Sequence, residues 1–292
     1  MGALRAAGGP ATLCDALLAW YASSGRTLRF RATTDPWAVL VAEVMAQQTQ
    51  VSRVEPAWSA FLARFPTARA LSDATPADVL RAWTGMGYNR RAVNLQRAAR
   101  VIVERHGGRV PGSLVELEAL PGIGPYTARA VGAICFGIPV APVDTNVRRV
   151  VSRLVGRRTL PPRELQAAAD GLIDRRRPGD WTHAAMDLAA TVCRPRPLCD
   201  DCPLRPWCAG SGEGRSRAPS ARAGSRTPFP LTRRWLRGRI VSQLRDAPAR
   251  RWQSLVGPVG EHGPEAVAGA LQSLERDGLV ERDRWGRVRL PG

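Results

Sequence analysis

The chain has 292 residues, 44% of them hydrophobic and 23% charged, with a formal net charge of +18 and a pI near 11.4. This composition is typical of a folded protein of about two domains and excludes a chain that is disordered throughout. No apolar run approaches the ~20 residues of a membrane-spanning helix, and no export signal precedes the first predicted helix. The positive charge predicts a polyanionic partner, most often nucleic acid.

The predicted secondary structure is helical from near the N-terminus to about residue 204. Apolar residues recur with the 3.6-residue period of amphipathic helices, and short turns rich in Gly, Pro and Thr separate them. Because the period-2 alternation of strands is nearly absent, this part is predicted to be all-α. The predicted helices span 12–22, 36–50, 53–65, 76–83, 90–106, 114–120, 126–136, 145–155, 163–174 and 180–191.

Residues 210–231 are rich in Gly, Ser, Arg and Pro. This composition predicts a flexible linker, because it cannot bury enough apolar surface to order itself. Beyond the linker, residues 232–292 predict two helices followed by a short hairpin around Trp285. The order helix, helix, β-wing resembles a winged helix, which fits a DNA-binding module and a protein-docking module equally well.

The chain contains no lysine, so all 43 of its Lys or Arg residues are arginines. A bias toward Arg and Ala codons is the simplest origin of this composition, but the chemical consequence does not depend on the cause. Without a side-chain amine, no lysine can form a Schiff base with a substrate. This excludes lysine-dependent lyase chemistry, apart from any use of the α-amino group.

Four of the six cysteines lie close together in the sequence, at Cys193, Cys199, Cys202 and Cys208. Disulfides are unfavourable in a chain without an export signal. Zinc stays open as an alternative, although structural zinc sites use two close pairs and only Cys199 and Cys202 form one. The wider spacing C-x5-C-x2-C-x5-C favours an iron–sulfur cluster. Because Arg194 and Arg196 lie between the cysteines, we expect a basic loop that contacts phosphate.

The string L-P-G-I-G-P-Y-T-A at 120–128 predicts two short helices joined by a glycine hairpin. Gly122 and Gly124 allow the backbone to turn, and Pro125 opens the second helix. Exposed N–H groups at the start of that helix form an anion site. A purely structural turn is the alternative, but in so basic a helical chain this string favours a helix-hairpin-helix that binds a DNA phosphate.

Two carboxylates have unusual sequence contexts. Glu43 is alone in the apolar run A-V-L-V-A-E-V-M-A, where a buried carboxyl would be a general acid and an exposed one an ordinary surface residue. Asp144 precedes a helical run and fits a plain N-cap, whose carboxylate stays ionised. A protonated and an ionised carboxyl together can cleave a glycosidic bond, but the residues alone leave this pairing open.

These motifs together resemble the helix-hairpin-helix DNA glycosylases that have a Gly/Pro-rich loop and a catalytic Asp, and within them the MutY-type adenine DNA glycosylases. The resemblance extends from about Leu13 to Cys208. It implies a six-helix barrel joined to an iron–sulfur cluster domain. The strings that carry it are T-T-D-P-W (33–37), A-E-V-M-A-Q-Q-T-Q-V (42–51), W-T-G-M-G-Y (83–88), the hairpin, V-D-T-N-V-R-R-V (143–150), A-A-M-D-L-A-A-T-V-C (184–193) and the cysteine loop.

The resemblance implies a role for each matching residue of the active site. Glu43 would protonate the adenine leaving group, and Asp144 would stabilise the sugar cation with Asn146 beside it. Tyr126 stands where the related endonuclease III branch has its Schiff-base lysine, in agreement with the absence of lysine. The implied enzyme is an adenine-specific DNA N-glycosylase that hydrolyses the N-glycosidic bond and leaves an abasic site without a lysine-dependent lyase step.

The resemblance also implies residues that bind DNA and a cofactor. Gln48 and Tyr88 match residues that push into the base stack around a flipped adenine. Arg26 and Arg31 match basic residues at the mouth of the adenine pocket. The four clustered cysteines match the ligands of a [4Fe–4S] cluster.

Three features depart from the family pattern. The first cysteine gap has five residues where the family usually has six, and L-R-F-R at 28–31 replaces L-P-W-R. Many members also carry a C-terminal Nudix-like domain that checks for 8-oxoguanine opposite the adenine. Residues 232–292 are too few for such a domain, so the sequence leaves open how this protein would recognise the opposite base.

We therefore expect an enzyme that excises adenine mispaired with 8-oxoguanine or guanine from double-stranded DNA in base excision repair, acting as a cytoplasmic, nucleoid-associated monomer. One alternative is a thymine or uracil mismatch glycosylase of the same superfamily, and another is a non-catalytic Fe–S regulator that binds DNA. The predicted segments are an N-terminal segment (1–33) that packs with the cluster domain, a six-helix barrel with the hairpin (34–140), the iron–sulfur cluster domain (141–209), the linker (210–231) and the winged-helix-like module (232–292).

Overall fold

The structure is a computed structural model that describes residues 12–157, 159–211, 227–248 and 251–292. Most of the predicted linker lies outside the described residues. The described chain folds into thirteen α-helices and one two-stranded sheet, which confirms the predicted all-α fold. The elements are α1 (Leu13–Ser24), α2 (Pro36–Ala46), α3 (Val51–Arg64), α4 (Ala68–Asp73), α5 (Pro76–Ala82), α6 (Arg90–His106), α7 (Leu114–Glu118), α8 (Pro125–Phe136), α9 (Thr145–Leu154), α10 (Pro162–Leu172), α11 (Pro178–Thr191), α12 (Arg233–Asp246), α13 (Pro264–Arg276), β1 (Glu281–Arg282) and β2 (Val288–Arg289).

Most predicted helices agree with the structure to within a few residues, but two predictions were wrong. The helix predicted over 36–50 ends at Ala46, because the backbone turns into the left-handed region at Gln48, where φ is 54°. Helix α4 is missing from the prediction, since six residues are too few to show a hydrophobic period. Its start is nevertheless marked by Thr67, whose hydroxyl accepts a hydrogen bond from the amide N–H of Ala70 at 3.1 Å.

Contacts divide the chain into two compact units. Unit 1 comprises Met1–Val39, Gly112–Glu118 and Gly124–Ala221, and unit 2 comprises Leu40–Pro111, Ala119–Ile123 and Arg222–Gly292. This division does not follow the boundary expected at residue 140, because α8 packs against α11 and so belongs to unit 1.

Unit 1 is built around α11, against which α1, α8 and α9 pack. Leu17 of α1, Val151 of α9 and Leu188 of α11 are buried in its core. Each such aliphatic side chain contributes about 1.5–3 kcal/mol when it is removed from water. The core of unit 1 thus fixes the start of α9, which carries Asp144, and the end of α11, which leads into the cysteine loop.

Unit 2 is built around α6, against which α4 and α5 pack. The rings of Phe61 and Trp83 meet edge to face in its core, with their centroids 5.7 Å apart, and both side chains are fully buried. In the described part of the chain, no helix has both the length and the apolar character needed to cross a membrane.

The C-terminal module, residues 232–292, is part of unit 2. Helices α12 and α13 pack against each other, and the hairpin pairs Glu281 with Arg289 and Arg282 with Val288 in antiparallel register. This order of elements agrees with the winged-helix-like module predicted from the sequence. The module is anchored on the rest of unit 2, because α12 packs against α5 and the amide N–H of Ala77 donates to the carbonyl of Pro291 at 2.9 Å.

Candidate active site

Glu43 lies on α2 and is buried, with only 8% of its surface exposed. Its helix neighbours Leu40, Val41 and Met45 are fully buried, so this part of α2 is a core helix rather than an amphipathic surface helix. Of the two alternatives that the sequence allowed, the structure therefore favours the buried one. Removal from water disfavours the ionised form of a carboxyl group, which is the condition that a general acid needs.

Arg91 of α6 binds the end of α2 that follows Glu43. Its Nη1 donates to the carbonyl oxygens of Val44, Met45 and Gln47 at 2.8, 2.8 and 2.7 Å. These are carbonyls at a helix C-terminus, which lack partners within the helix and which a cation stabilises. Burial lowers the pKa of Arg91 to about 10, so the guanidinium is still protonated at neutral pH.

The other terminal nitrogen of Arg91 binds two loops at once. Nη2 donates to the hydroxyl of Thr49 at 3.0 Å and to the carbonyl of Met86 at 3.0 Å. The guanidinium also lies 5.5 Å from the ring centroid of Tyr88. The sequence analysis did not single out Arg91, since an arginine in a basic helix has no distinguishing local pattern.

Gln48 and Tyr88, the two residues expected to enter the base stack, lie on these loops. They are the only non-glycine residues with positive φ in the described ranges, at 54° for Gln48 and 44° for Tyr88. Such a conformation costs about 1–3 kcal/mol and is retained where the surroundings enforce it, most often at functional sites. Both side chains are exposed, and the bonds of Arg91 to the flanking backbone help to hold both loops in this conformation.

Asp144 is the N-cap of α9 and is half-buried. Its Oδ1 accepts hydrogen bonds from the amide N–H groups of Asn146 at 2.9 Å and Val147 at 2.7 Å, and its Oδ2 accepts one from Asn146 Nδ2 at 3.0 Å. Asp144 is therefore the N-cap that the sequence allowed, and Asn146 lies beside its carboxylate. The anionic role of Asp144 in catalysis stays a prediction.

Tyr126 lies in the first turn of α8 and is half-buried. Its hydroxyl lies 3.8 Å from the sulfur of Met186. The hairpin before it is exposed at Gly122 and Gly124 and anchored by the buried Ile123. Gly122 has a φ of 79°, and a Cβ there would lie 2.7 Å from Cβ of Asn94, so only glycine fits.

Arg26 and Arg31 both bind a residue that the sequence analysis quoted but did not assign, Asp187 of α11. Oδ1 of this fully buried carboxylate accepts hydrogen bonds from Arg26 Nε at 2.8 Å and Arg31 Nη1 at 2.8 Å. Burial alone would raise the pKa of Asp187, but the hydrogen bonds from Arg26 and the charge of Arg31 lower it overall. Burial and Arg31 also lower the pKa of the adjacent His183 to about 3, so this histidine is neutral. The place of the two arginines at the mouth of an adenine pocket stays a prediction.

The four cysteines of the loop are half-buried and lie within electrostatic reach of one another. Burial raises the pKa of Cys202, and the charges of the other three thiolates raise it further. Arg153 Nη1 donates to Sγ of Cys193 at 3.3 Å. Among the described residues, no group of three or more His, Cys, Asp or Glu is arranged to hold a single metal ion. Which metal group the four thiols bind therefore stays a prediction.

Arg194 and Arg196 are exposed on the same loop. The backbone of this loop is bound by Arg153, whose Nη1 also donates to the carbonyl of Arg194 at 2.7 Å. Both side chains are thus free to project into solvent, as the predicted phosphate contact requires.

Comparison with known proteins identifies relatives of this chain. Residues 41–174 match the family of HhH-GPD superfamily base excision DNA repair proteins. An adenine DNA glycosylase of Mycolicibacterium smegmatis is 42% identical over 281 residues, which cover 94% of this chain and 95% of that protein. An adenine DNA glycosylase of Homo sapiens is 41% identical over 207 residues, which cover 66% of this chain and 38% of that protein. Among solved structures, a thermostable thymine-DNA glycosylase is 28% identical, with a TM-score of 0.65 over 68% of this chain and 95% of that one.

These matches include the residues that the structure and the sequence singled out. Glu43, Tyr88, the hairpin and Asp144 all lie inside the segment that matches the family. The mycobacterial alignment covers so much of the chain that it also includes most of the C-terminal module. The chain therefore belongs to the adenine DNA glycosylases of the HhH-GPD superfamily.

Proposed function

We propose that this enzyme hydrolyses the N-glycosidic bond of adenine mispaired with 8-oxoguanine or guanine in double-stranded DNA. The observation that carries the proposal is the contrast between two carboxyl groups. Glu43 is 8% exposed on a helix whose residues Leu40, Val41 and Met45 are fully buried, whereas the carboxylate of Asp144 accepts three N–H hydrogen bonds. Glycosidic bond cleavage uses one carboxyl group as the acid and a second one as the anion, and we assign these roles to Glu43 and Asp144.

In the proposed reaction, Glu43 donates its proton to the adenine as the bond between the base and C1′ of the sugar breaks. Asp144 stabilises the positive charge that develops on the sugar, and Asn146 holds the second oxygen of that carboxylate. A water molecule then adds to C1′ and loses a proton to the ionised Glu43. The products are free adenine and an abasic site, and Glu43 is protonated again.

The absence of lysine supports a monofunctional enzyme. The chain contains no lysine, and the family resemblance aligns Tyr126 with the Schiff-base lysine of the endonuclease III branch. A phenol cannot form a Schiff base with the opened sugar. We therefore propose that the enzyme leaves the DNA backbone intact at the abasic site.

Single-turnover base release tests the proposal. The substrates are duplexes that carry A opposite 8-oxoguanine, A opposite G and T opposite G, and each reaction is analysed with and without alkali. We expect strand cleavage only for the adenine duplexes and only after alkali. The substitution Glu43→Gln is expected to lower the single-turnover rate by about 10²- to 10⁴-fold while mismatch binding persists, whereas the exposed control Glu104→Gln keeps the wild-type rate. Wild-type turnover by Glu43→Gln would contradict the role of this residue.

Removal of thymine is the second candidate function, because a solved structure that is 28% identical to this chain, with a TM-score of 0.65, is named a thymine-DNA glycosylase. Cleavage of the T opposite G duplex in the same experiment, with no release of adenine, would establish it in place of adenine removal.

We also propose that Cys193, Cys199, Cys202 and Cys208 bind a [4Fe–4S] cluster. When bound, the cluster would crosslink the loop and so hold Arg194 and Arg196 in place for phosphate contact. Iron, acid-labile sulfide and zinc measured on the purified protein test this assignment. Equal amounts of iron and sulfide are expected, with loss of both in Cys199→Ser, and stoichiometric zinc without sulfide would contradict it.

A further inference from the structure

The two loops that carry Gln48 and Tyr88 border a groove within unit 2. The groove encloses about 1050 Å³, and its other side is formed by α12 and the end of α13 of the C-terminal module. This volume is slightly above the range of typical ligand-binding pockets, roughly 300–1,000 Å³. The groove is therefore large enough for a nucleotide and part of the strand beside it.

The module contacts three consecutive residues, from Tyr88 in its loop to Arg90 at the start of α6. The guanidinium of Arg234 lies 3.8 Å from the ring centroid of Tyr88, and Arg245 Nη2 donates to Oδ1 of Asn89 at 2.8 Å. The next residue, Arg90, pairs with Asp277 of the module at 3.7 Å. The C-terminal module is thus built directly onto the loop that is expected to enter the DNA.

The lining of the groove is strongly basic. It includes six arginines but a single acidic residue, Asp277, which is already paired with Arg237 at 2.5 Å. Arg234 and Arg239 are exposed on the groove side of α12, and neither forms an ion pair with a carboxylate among the described residues. Unpaired arginines in a concave surface are suited to phosphate.

Aromatic rings alternate with these cations. Tyr88 is 36% exposed and Phe229 is 56% exposed, and the ring of Phe229 lies 5.7 Å from the guanidinium of Arg234. Exposed rings interleaved with arginines bind unpaired nucleotides, because the bases stack on the rings while the phosphates contact the cations.

We infer that this groove binds DNA where the wedge residues enter it, with the phosphates of one strand on Arg234 and Arg239 and an unpaired base stacked on Tyr88. The inference rests on the proposed function, because it takes the wedge role of Tyr88 as given. Arg234 covers the ring of Tyr88 in the free protein and moves from the ring to a phosphate when the base stacks. This assigns the module to DNA binding.

The test compares two double substitutions of equal charge in the full-length protein. Arg234→Ala with Arg239→Ala removes the two groove cations, whereas Arg233→Ala with Arg276→Ala removes exposed arginines of the same two-helix module that do not line the groove. The dissociation constant of a duplex with A opposite G is measured over a range of salt concentrations. We expect the groove variant to bind about tenfold more weakly or worse and its salt slope to fall by about 1.8, or about 0.9 per phosphate contact, while the control pair stays near wild type.

Two results would overturn the inference. Equal losses in both variants would show only a general effect of net charge, and no loss in the groove variant would show that the groove does not contact DNA. Thermal unfolding of both variants excludes a folding defect, since all four side chains are exposed. Because binding is measured separately from base release, wild-type protein that binds the duplex but releases no adenine would contradict the proposed function without affecting this comparison.

Discussion

Arg91 is expected to act on catalysis only through the residues that it positions. Among residues that contact no reacting atom, we expect its replacement to lower activity the most. Its guanidinium binds the C-terminal carbonyls of α2, which carries Glu43, and the backbone of the loops that carry Gln48 and Tyr88. A lysine at this position keeps the positive charge but has a single nitrogen with three donors, which cannot reach both loops together. We therefore choose Arg91→Lys as the main variant and Arg91→Ala as the more severe one.

The magnitude follows from the five hydrogen bonds of 3.0 Å or shorter that the guanidinium donates. A hydrogen bond to a charged donor contributes about 1.5–3 kcal/mol to folding stability in mutational data. The full sum of five such bonds is not lost in Arg91→Ala, because water can partly solvate the carbonyls from which the guanidinium is removed. We expect Arg91→Ala to lose about 3–5 kcal/mol of unfolding free energy, as when one partner of a buried charged network is removed. This is a large share of the ~5–15 kcal/mol of a typical domain, so the variant stays folded but is less stable.

We expect Arg91→Lys to lower the rate of base release more than its loss of folding stability alone would. A displacement of about 1 Å in a positioned group can cost about 100-fold in rate, so we expect the single-turnover release of adenine to fall by about 10- to 100-fold. The assay uses saturating enzyme at a temperature well below the unfolding transition, with urea unfolding measured in parallel. The control is Arg100→Lys, an exposed arginine on the same helix, which should change neither quantity. A wild-type rate and affinity in Arg91→Lys would refute the positioning role.

Three further predictions concern stability. Asp187→Asn removes the carboxylate that pairs with Arg26 and Arg31. We expect it to lower the free energy of unfolding, measured in urea, by about 3–5 kcal/mol. The control Asp180→Asn, at an exposed position on the same helix, should lower it by less than about 0.5 kcal/mol. The unfolding free energy is expected to decrease as the pH falls from about 6.5 to about 3, because His183 takes up a proton in the unfolded chain at a higher pH than in the folded one. His183→Gln should flatten this part of the pH profile of stability. An unchanged profile in that variant would contradict the lowered pKa of His183. Gly122→Ala places a Cβ 2.7 Å from a neighbouring side chain, on a backbone with a φ of 79°. We expect this substitution to lower the free energy of unfolding by more than about 1 kcal/mol and to weaken DNA binding. The control Gly124→Ala, whose Cβ would meet no atom within 4 Å, should keep its stability within about 0.5 kcal/mol of wild type.

The helices could be predicted where the hydrophobic period is long and a local signal ends it. Helix α6 is observed at 90–106 as predicted, because seventeen residues show the period clearly and Gly107 adopts the left-handed conformation that ends a helix. The end of α2 could not be predicted in the same way. Polar residues at 47–50 are compatible with another helical turn, but the backbone turns at Gln48, and Arg91, which binds the residues on either side of it, is more than forty positions away in the sequence.

The candidate site was predictable in its residue types but not in its supporting contacts. The apolar run around Glu43 allowed either a buried or an exposed position, and only the packing of α2 decides between them. Asp187 had a local signal, since it is an acidic residue among alanines and leucine in A-A-M-D-L-A-A. Its partner Arg26 is 161 positions away, and no pattern in a single sequence connects two residues at that distance.

The structure also suggests why the wedge residues depend on the C-terminal module. Gln48 and Tyr88 both have left-handed backbones that cost about 1–3 kcal/mol each, so each loop needs contacts that outweigh this cost. Arg91 supplies such contacts to both loops from the side of α6, whereas Arg234 and Arg245 contact only the Tyr88 loop, from the side of α12. Loss of the module should therefore affect Tyr88 more than Gln48. A chain without residues 227–292 is expected to keep measurable release of adenine but to lose the additional effect of Tyr88→Leu on DNA affinity, and an undiminished effect of Tyr88→Leu in that chain would show that Arg91 alone holds the loop.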